Sequence, residues 1–260
     1  MGIIPQSAHA ASVCSEVRIA VRTRIQVPLA LTLMLAIAVG VMSSAGCTVV
    51  SRLVPPSAEP IPPAASKLTT ATDLGTVEID SYKGKKLDAV GKEPENSIAG
   101  PQHVNPATYR LQVTGLVKKP LSLKYDEVTA MPAFQKVTTL NCIEGWSVTY
   151  LWTGVKLKDV LARAGYDPRA KVVIFTCYDG YTTSLPLDYI VNRNILFAYK
   201  MNGVTMPPER GFPFQVVAED QFGYKWAKWV TKIEVSNDSK YLGYWEKRGY
   251  ENSATIPGGK

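Results

Sequence analysis

The sequence predicts a mixed α+β domain with a strand-rich core. Short runs of β-branched and aromatic residues, bounded by Gly, Asp, Asn and Pro, recur between Tyr109 and Val235, as strands joined by tight turns do. Only Val155 to Ala164 shows clear helical spacing, with Val155, Leu157, Val160 and Leu161 on one face. The regular strand–helix alternation of a parallel α/β sheet is missing, and so is a Gly-rich phosphate loop of the Walker or dinucleotide type.

Residues 1–46 read as an export segment. Arg18, Arg22 and Arg24 precede an apolar stretch from Val27 to Met42, and small residues then lead to Cys47. The Ala45-Gly46-Cys47 ending is similar to a bacterial lipobox, which makes Cys47 a lipidation site, although Ser44 stands where that motif prefers an aliphatic residue. Lipoprotein, uncleaved membrane anchor and ordinary signal cleavage all stay open, because so short a run is marginal for a hydrocarbon core of ~30 Å. Arginines on its N-terminal side put the rest of the chain outside the cytoplasm. Residues 47–95 begin as a Pro/Ala-rich tether with a polyproline tendency. They continue as a polar, Gly-containing irregular segment able to wrap on the domain.

Residues 96–260 form the globular domain. Tyr109, Leu111 and Val113 alternate with Arg110, Gln112 and Thr114 as a half-buried strand ending at Gly115. Leu121 to Met131 is short, helix-compatible and stopped by Pro132. Val137 to Glu144 is a strand whose apolar, β-branched run delivers Cys142 to a polar, Gly-containing end. Val155 to Ala164 is a helix with Gly165 as its C-cap. Lys171 to Tyr178 is a largely buried strand, closed by an Asp179-Gly180 turn. Leu187 to Val191 makes one helical turn, and Ile195–Tyr199, Phe214–Val217 and Trp229–Val235 are further strands.

With 46% apolar and 20% charged residues, a chain of 260 residues can bury a substantial core. A net charge of +7 is a mild excess that suits an anionic ligand or a membrane surface; no nucleic-acid partner is expected. The two histidines, His9 and His103, leave at most one candidate in the domain for a histidine-built metal site or a nucleophile–histidine pair. Of the four cysteines, Cys14 and Cys47 belong to the export region, and Cys142 and Cys177 remain. Spacing alone leaves three readings for that pair: a disulfide in an oxidising compartment, a functional thiol at Cys142, or two buried free thiols.

The stretch Asn141-Cys142-Ile143-Glu144-Gly145-Trp146-Ser147, with Trp152-Thr153-Gly154-Val155 after it, resembles the sulfite-oxidase-fold molybdopterin oxidoreductases. Within that family it is most similar to the branch of the periplasmic methionine sulfoxide reductase catalytic subunit. The likeness continues through Tyr178–Tyr181, Ala198–Gly203, Pro207–Pro213 and Phe222–Trp229, and covers residues 96–237. It implies a molybdenum–molybdopterin cofactor with the Cys142 thiolate as the protein ligand of the metal, a soft donor suited to a centre already held by dithiolene sulfurs. It further implies cofactor contacts from Asn96, Cys177, Arg210, Gly211, Lys225, Trp226 and Lys228. The three cations among these would anchor the pterin phosphate. His103 falls near the family's N-terminal pterin-contacting segment, and a surface-loop histidine is its plainer reading.

Departures from the family pattern shape the expected function. Ile143-Glu144-Gly145-Trp146 replaces the cationic continuation of the sulfite-oxidising branch. Sulfite and nitrate chemistry is therefore disfavoured, and a Trp146 wall suits a neutral sulfoxide-like substrate, although Trp146 equally suits the core. The family's additional dimerisation domain has no counterpart, so a monomer is expected. The expected enzyme is exported and membrane-tethered, and reduces a small or protein-bound oxidised substrate by oxo transfer. Its electrons come from a membrane quinol or haem protein, because the chain carries no haem motif or Fe–S cysteine set. Arg22 and Arg24 are split by Thr23, so no twin-arginine pair is present. That absence motivates the alternative of a cofactor-free binding lipoprotein with a structural Cys142–Cys177 disulfide.

Overall fold

The computed structural model describes residues 77–257. The export segment, Cys47 and the Pro/Ala-rich tether lie outside the described residues. A small hairpin of β1 (Ser81–Tyr82) and β2 (Lys85–Lys86) precedes β3 (Leu111–Gly115), β4 (Leu121–Leu123) and α1 (Tyr125–Thr129). Next come β5 (Ala133–Asn141), β6 (Ser147–Lys156), α2 (Leu157–Ala164), β7 (Val172–Cys177), β8 (Thr182–Pro186) and α3 (Leu187–Arg193). The order ends with β9 (Leu196–Met201), β10 (Val204–Thr205), β11 (Gln215–Val217) and β12 (Val230–Ser236).

These strands build two five-stranded sheets. The first is antiparallel, with β5 beside β6 and β6 beside β9, while β10 and β11 share the other edge of β9. The second runs β4–β3–β12–β7–β8, and β3 with β12 is its parallel pair. Both sheets and α2 contribute to one hydrophobic core. Phe197 stacks on Phe214 at 4.6 Å in that core, and Tyr109 and Tyr125 tilt against the same Phe214 ring. No helix among the described residues is long and apolar enough to cross a membrane.

Several boundaries differ from the sequence expectation because strand pairing overrides local pattern. Val155 fits the helical stripe of α2, yet it pairs with Ala133 and Phe197, so β6 runs to Lys156 and the helix begins at Leu157. Leu121 pairs with Val113, which turns the start of the expected 121–131 helix into β4 and leaves α1 five residues long. Strands β6 and β8 were not read from the sequence as strands. β6 is buried on both faces along much of its length and lacks alternation. Gly154 sits at a register shift where an added Cβ would lie 2.3 Å from the Phe197 carbonyl oxygen, so β6 and β9 approach closely only with glycine there.

Residues 77–95 pack on the first sheet despite having little regular structure. Val90 is fully buried, and Asp88 exchanges backbone and side-chain hydrogen bonds with Thr149 of β6 at 2.9 and 2.8 Å. Asn202, fully buried, donates to the Glu78 carboxylate and the Asp88 carbonyl.

Buried phenols give the fold a defined alkaline limit. Burial pushes Tyr125 and Tyr224 up to about 12, and raises Tyr109, Tyr150, Tyr181 and Tyr189 as well. In the unfolded chain these groups ionise near the ordinary phenol value of 10.0, so the native state holds more protons above that pH. This contribution to stability is complete below pH ~10 and is lost as pH rises towards ~12. The urea midpoint should fall above pH ~10, with the buried phenolates absorbing only once the chain unfolds. Full tyrosine ionisation in a still-folded protein at that pH would contradict the packing.

Candidate active site

The β5–β6 hairpin presents Cys142. Its loop, Ile143–Gly145, is closed by a Gly145 N–H bond to the Cys142 carbonyl (3.1 Å) and a Cys142 N–H bond to the Trp146 carbonyl (2.9 Å). Gly145 takes φ +91°, the left-handed residue such a three-residue hairpin loop needs. Cys142 therefore stands at the shoulder of a tight turn and does not continue the strand, which ends at Asn141.

The segment between β11 and β12 passes from the first sheet to the second and runs beside this turn. Phe222 forms a parallel bridge with Asn141. A Cβ on Gly223 would stand 3.3 Å from Leu140 Cδ2 and 3.8 Å from Cys142 Cα. The turn and this segment enclose a cleft whose empty volume, open mouth included, is about 900 Å³. Asn96 and Ser97 wall it on one side, Asp179 and Tyr181 of the β7–β8 turn on another, and Trp245 and Tyr250 near the C-terminus on a third.

At the cysteine, the Asn96 side-chain N–H donates to Sγ at 3.8 Å, and the thiol faces Glu144 Oε2 at 3.6 Å. The same Glu144 oxygen accepts the Trp146 indole N–H at 2.9 Å. Burial raises the Cys142 thiol above its ordinary value, and the Glu144 charge adds to this; backbone N–H groups of Glu144 and Ile143 pull the other way. Glu144 itself is held low, chiefly by the Trp146 hydrogen bond. Glu144 was not read as a site residue, although its place two residues after the cysteine in a tight turn was the available signal.

The cleft wall carries polar atoms whose bonds are unmade. Ser97 Oγ, Gln215 Nε2 and Lys228 Nζ are buried donors without a hydrogen-bond partner, and Glu93 Oε2 is a buried acceptor without one. The nearest carboxylate to Lys228, Glu95 Oε2, is 3.8 Å away. Buried polar groups are nearly always paired, so this cluster suits a polar ligand with an anionic part and both donor and acceptor groups. Among the described residues, no group of three or more His, Cys, Asp or Glu side chains could hold a metal. A metal at Cys142 must therefore arrive with other donors of its own. A dithiolene-bearing pterin phosphate has these properties, and the donor set fits it.

Residues 98–245 match the family described as the oxidoreductase molybdopterin binding domain. The chain belongs to this family. It is 35% identical over 151 residues to the uncharacterized oxidoreductase YuiH of Bacillus subtilis, covering 58% of this chain and 76% of that protein. It is 36% identical over 149 residues to the putative protein-methionine-sulfoxide reductase subunit YedZ1 of Azospira oryzae, covering 57% of this chain and 56% of that one. The sulfane dehydrogenase SoxCD of Paracoccus pantotrophus shares the fold, with a TM-score of 0.50 at 22% identity over 52% of this chain and 40% of that chain. The protein is thus a molybdenum oxidoreductase of the sulfite-oxidase fold with a molybdenum–molybdopterin cofactor.

Of the residues singled out in the sequence, Asn96, Cys142, Trp146, Trp226 and Lys228 stand on the cleft wall. Gly211 acts from behind: it takes φ +109°, and a Cβ there would press on the Lys228 stem at 3.2 Å. Arg210 also lies one layer back, ion-paired at 2.8 Å to Glu93, with both side chains buried. Two expected contacts are not brought to the wall. Cys177 is buried in the core, where loss of solvation raises its thiol well above the ordinary value. Lys225 is fully buried, with its ammonium bonded to Glu246 (2.5 Å), Asn252 Oδ1 (2.8 Å) and the Ser184 carbonyl (3.2 Å). Burial lowers its amine from the usual value, with Glu246 opposing. His103 is exposed. Cys142 and Cys177 are both free thiols, so the disulfide is not formed.

The Lys225–Glu246 pair yields a stability test. Lys225→Met or Glu246→Gln alone leaves the other group buried without its partner and should cost about 3–5 kcal/mol in urea unfolding. The Lys225→Met, Glu246→Leu double variant should recover most of that loss. Single variants as stable as the wild type would show that the pair is not formed in solution.

Proposed function

We propose that this chain is an extracytoplasmic reductase of a neutral sulfoxide or similar oxo-substrate, working at a molybdenum ligated by Cys142. The observation that carries the reading is the Cys142 turn itself. It sets a carboxylate, Glu144, 3.6 Å from the sulfur and an indole beside it, and contains no cation. An anion such as sulfite would meet a like charge at closest approach, whereas a neutral group would not.

When bound, the molybdenum supplies two-electron oxo transfer. The chain supplies the rest. Cys142 Sγ gives up its proton to become a ligand, and the Asn96 side-chain N–H and the turn's backbone N–H groups favour that thiolate. Lys228 Nζ, Ser97 Oγ and Gln215 Nε2 would hold the cofactor as donors, and Glu93 Oε2 would hold it as an acceptor. The Arg210–Glu93 pair holds that acceptor in place. Glu144 fixes the Trp146 ring as one wall for the substrate. Tyr181, Trp226, Trp229 and Trp245 line the cleft with aromatic surface that keeps water from it.

The relative described as a protein-methionine-sulfoxide reductase subunit supports the sulfoxide reading. An N-terminal lipid or membrane anchor would hold the enzyme near a quinol or haem donor. Protein isolated from its native host should carry close to one molybdenum per chain, reduce sulfoxides and leave sulfite unoxidised. Cys142→Ser should lose the metal. A molybdenum content near zero, with Cys142 oxidised to Cys177, would sink the reading and favour the cofactor-free binding lipoprotein.

A further inference from the structure

The match to the family ends at residue 245, yet the segment after it helps build the site. Tyr250 lines the cleft, and residues 248–251 with Ala254 and Thr255 also wall a second hollow beside it. The other walls of that hollow are Ile143, Phe222 and Tyr224. Ile143, Tyr224 and Tyr250 belong to both spaces, so the hollow continues the cleft. Its empty volume, open mouth included, is about 690 Å³.

This segment is fastened along its length. The Phe222 N–H donates to the Ala254 carbonyl at 2.9 Å, and the Ile256 N–H to the Asp220 carbonyl at 3.0 Å. Tyr224 Oη donates to the Glu251 carbonyl at 2.8 Å, and the buried Lys225 holds Glu246 and Asn252 from below. The hollow is therefore preformed, and its ordering cost is met before any ligand arrives. Its one cation, Arg248, is already engaged, stacked 3.6 Å over the Tyr244 ring and bonded to the Tyr244 carbonyl. Ile143, the residue next to Cys142, is 50% exposed, and Tyr250 is 37% exposed. The path from the cysteine into the hollow thus passes over Ile143, Tyr224 and Tyr250, and with Glu251 as the other charged residue of the hollow there is no free cation to attract an inorganic anion.

We infer that this hollow is a subsite for the apolar arm of an organic substrate whose oxidised group sits at Cys142. The inference rests on the sulfoxide-reducing reading of the Cys142 cleft, and it narrows the substrate class to molecules with an apolar or aromatic arm. The arm lies between Ile143 and Tyr250, with Phe222 and Ala254 behind it.

The test uses the molybdenum-loaded full chain, as wild type, Thr255→Trp and Thr255→Ser. Thr255 is an exposed residue of the hollow that does not line the cleft, so an indole there fills the subsite from outside. Binding of methyl phenyl sulfone and dimethyl sulfone is measured by calorimetry, and turnover with the matching sulfoxides. The wild type should favour the phenyl compound about tenfold or more in both readouts, as burial of an aryl arm supports. Thr255→Trp should shrink the preference to about twofold through KM and Kd, with the Ser variant keeping it. No preference in the wild type, or one untouched by Thr255→Trp, overturns the subsite. Sulfone discrimination that Thr255→Trp removes, in a protein that turns over neither sulfoxide, upholds the subsite and overturns the sulfoxide-reducing reading instead.

Discussion

The site depends on the contact between the Cys142 turn and the segment that crosses from β11 to β12. That segment leaves the first sheet, bridges Asn141 through Phe222, passes the cysteine at Gly223, and enters the second sheet. A Cβ at Gly223 would meet the Leu140 side chain at 3.3 Å, so the segment and the turn pass each other closely here. Along the same stretch, Tyr224, Trp226 and Lys228 reach the wall, while Lys225 turns inward. One passage of chain therefore supplies both the aromatic lining and the cation, and ties them to the thiol.

The charges around the cleft divide into those that build it and those left to bind. Burying an ammonium or guanidinium is costly unless a partner and further hydrogen bonds compensate. Lys225 meets that condition with Glu246, Asn252 and the Ser184 carbonyl, whereas Arg210 is ion-paired to Glu93 but leaves its buried Nε without a hydrogen bond. Lys228 does not meet it: its nearest carboxylate stands 3.8 Å away and its ammonium makes no hydrogen bond. The same asymmetry appears within the Arg210–Glu93 pair, where one Glu93 oxygen is bonded and the other makes no hydrogen bond. The structural pairs hold the walls in place, and the unsatisfied atoms of cleft-lining residues are those suited to a polar ligand.

Residues far apart in sequence close the cleft at its ends. Glu93 lies 117 residues before Arg210, and Glu246 and Asn252 lie 21 and 27 residues after Lys225. Segments outside the family match at residues 98–245 thus supply the buried counter-charges and part of the wall. A common cofactor site can in this way be joined to walls particular to one chain.

The sequence alone determined a strand leading into Cys142, read as far as Glu144, a helix ending at Ala164, read from Val155, and ordered motifs from Asn141 to Trp229 that belong to one molybdopterin-binding family. These features are local: β-branched runs, a helical stripe capped by Gly165, and short motifs read in order. Only the tertiary structure decided which of three similar lysine and arginine candidates faces the cleft. Nothing in a loop sequence tells an inward cation from a ligand-facing one, because the carboxylate that claims it comes from a distant segment. The same holds for Val155 and Leu121, whose strand partners outweigh the helical pattern they fit, and for Glu144, whose role follows from a turn that folds its carboxylate back onto the thiol. Local pattern sets which elements can form, and long-range pairing and desolvation decide where each one ends and which charges stay free.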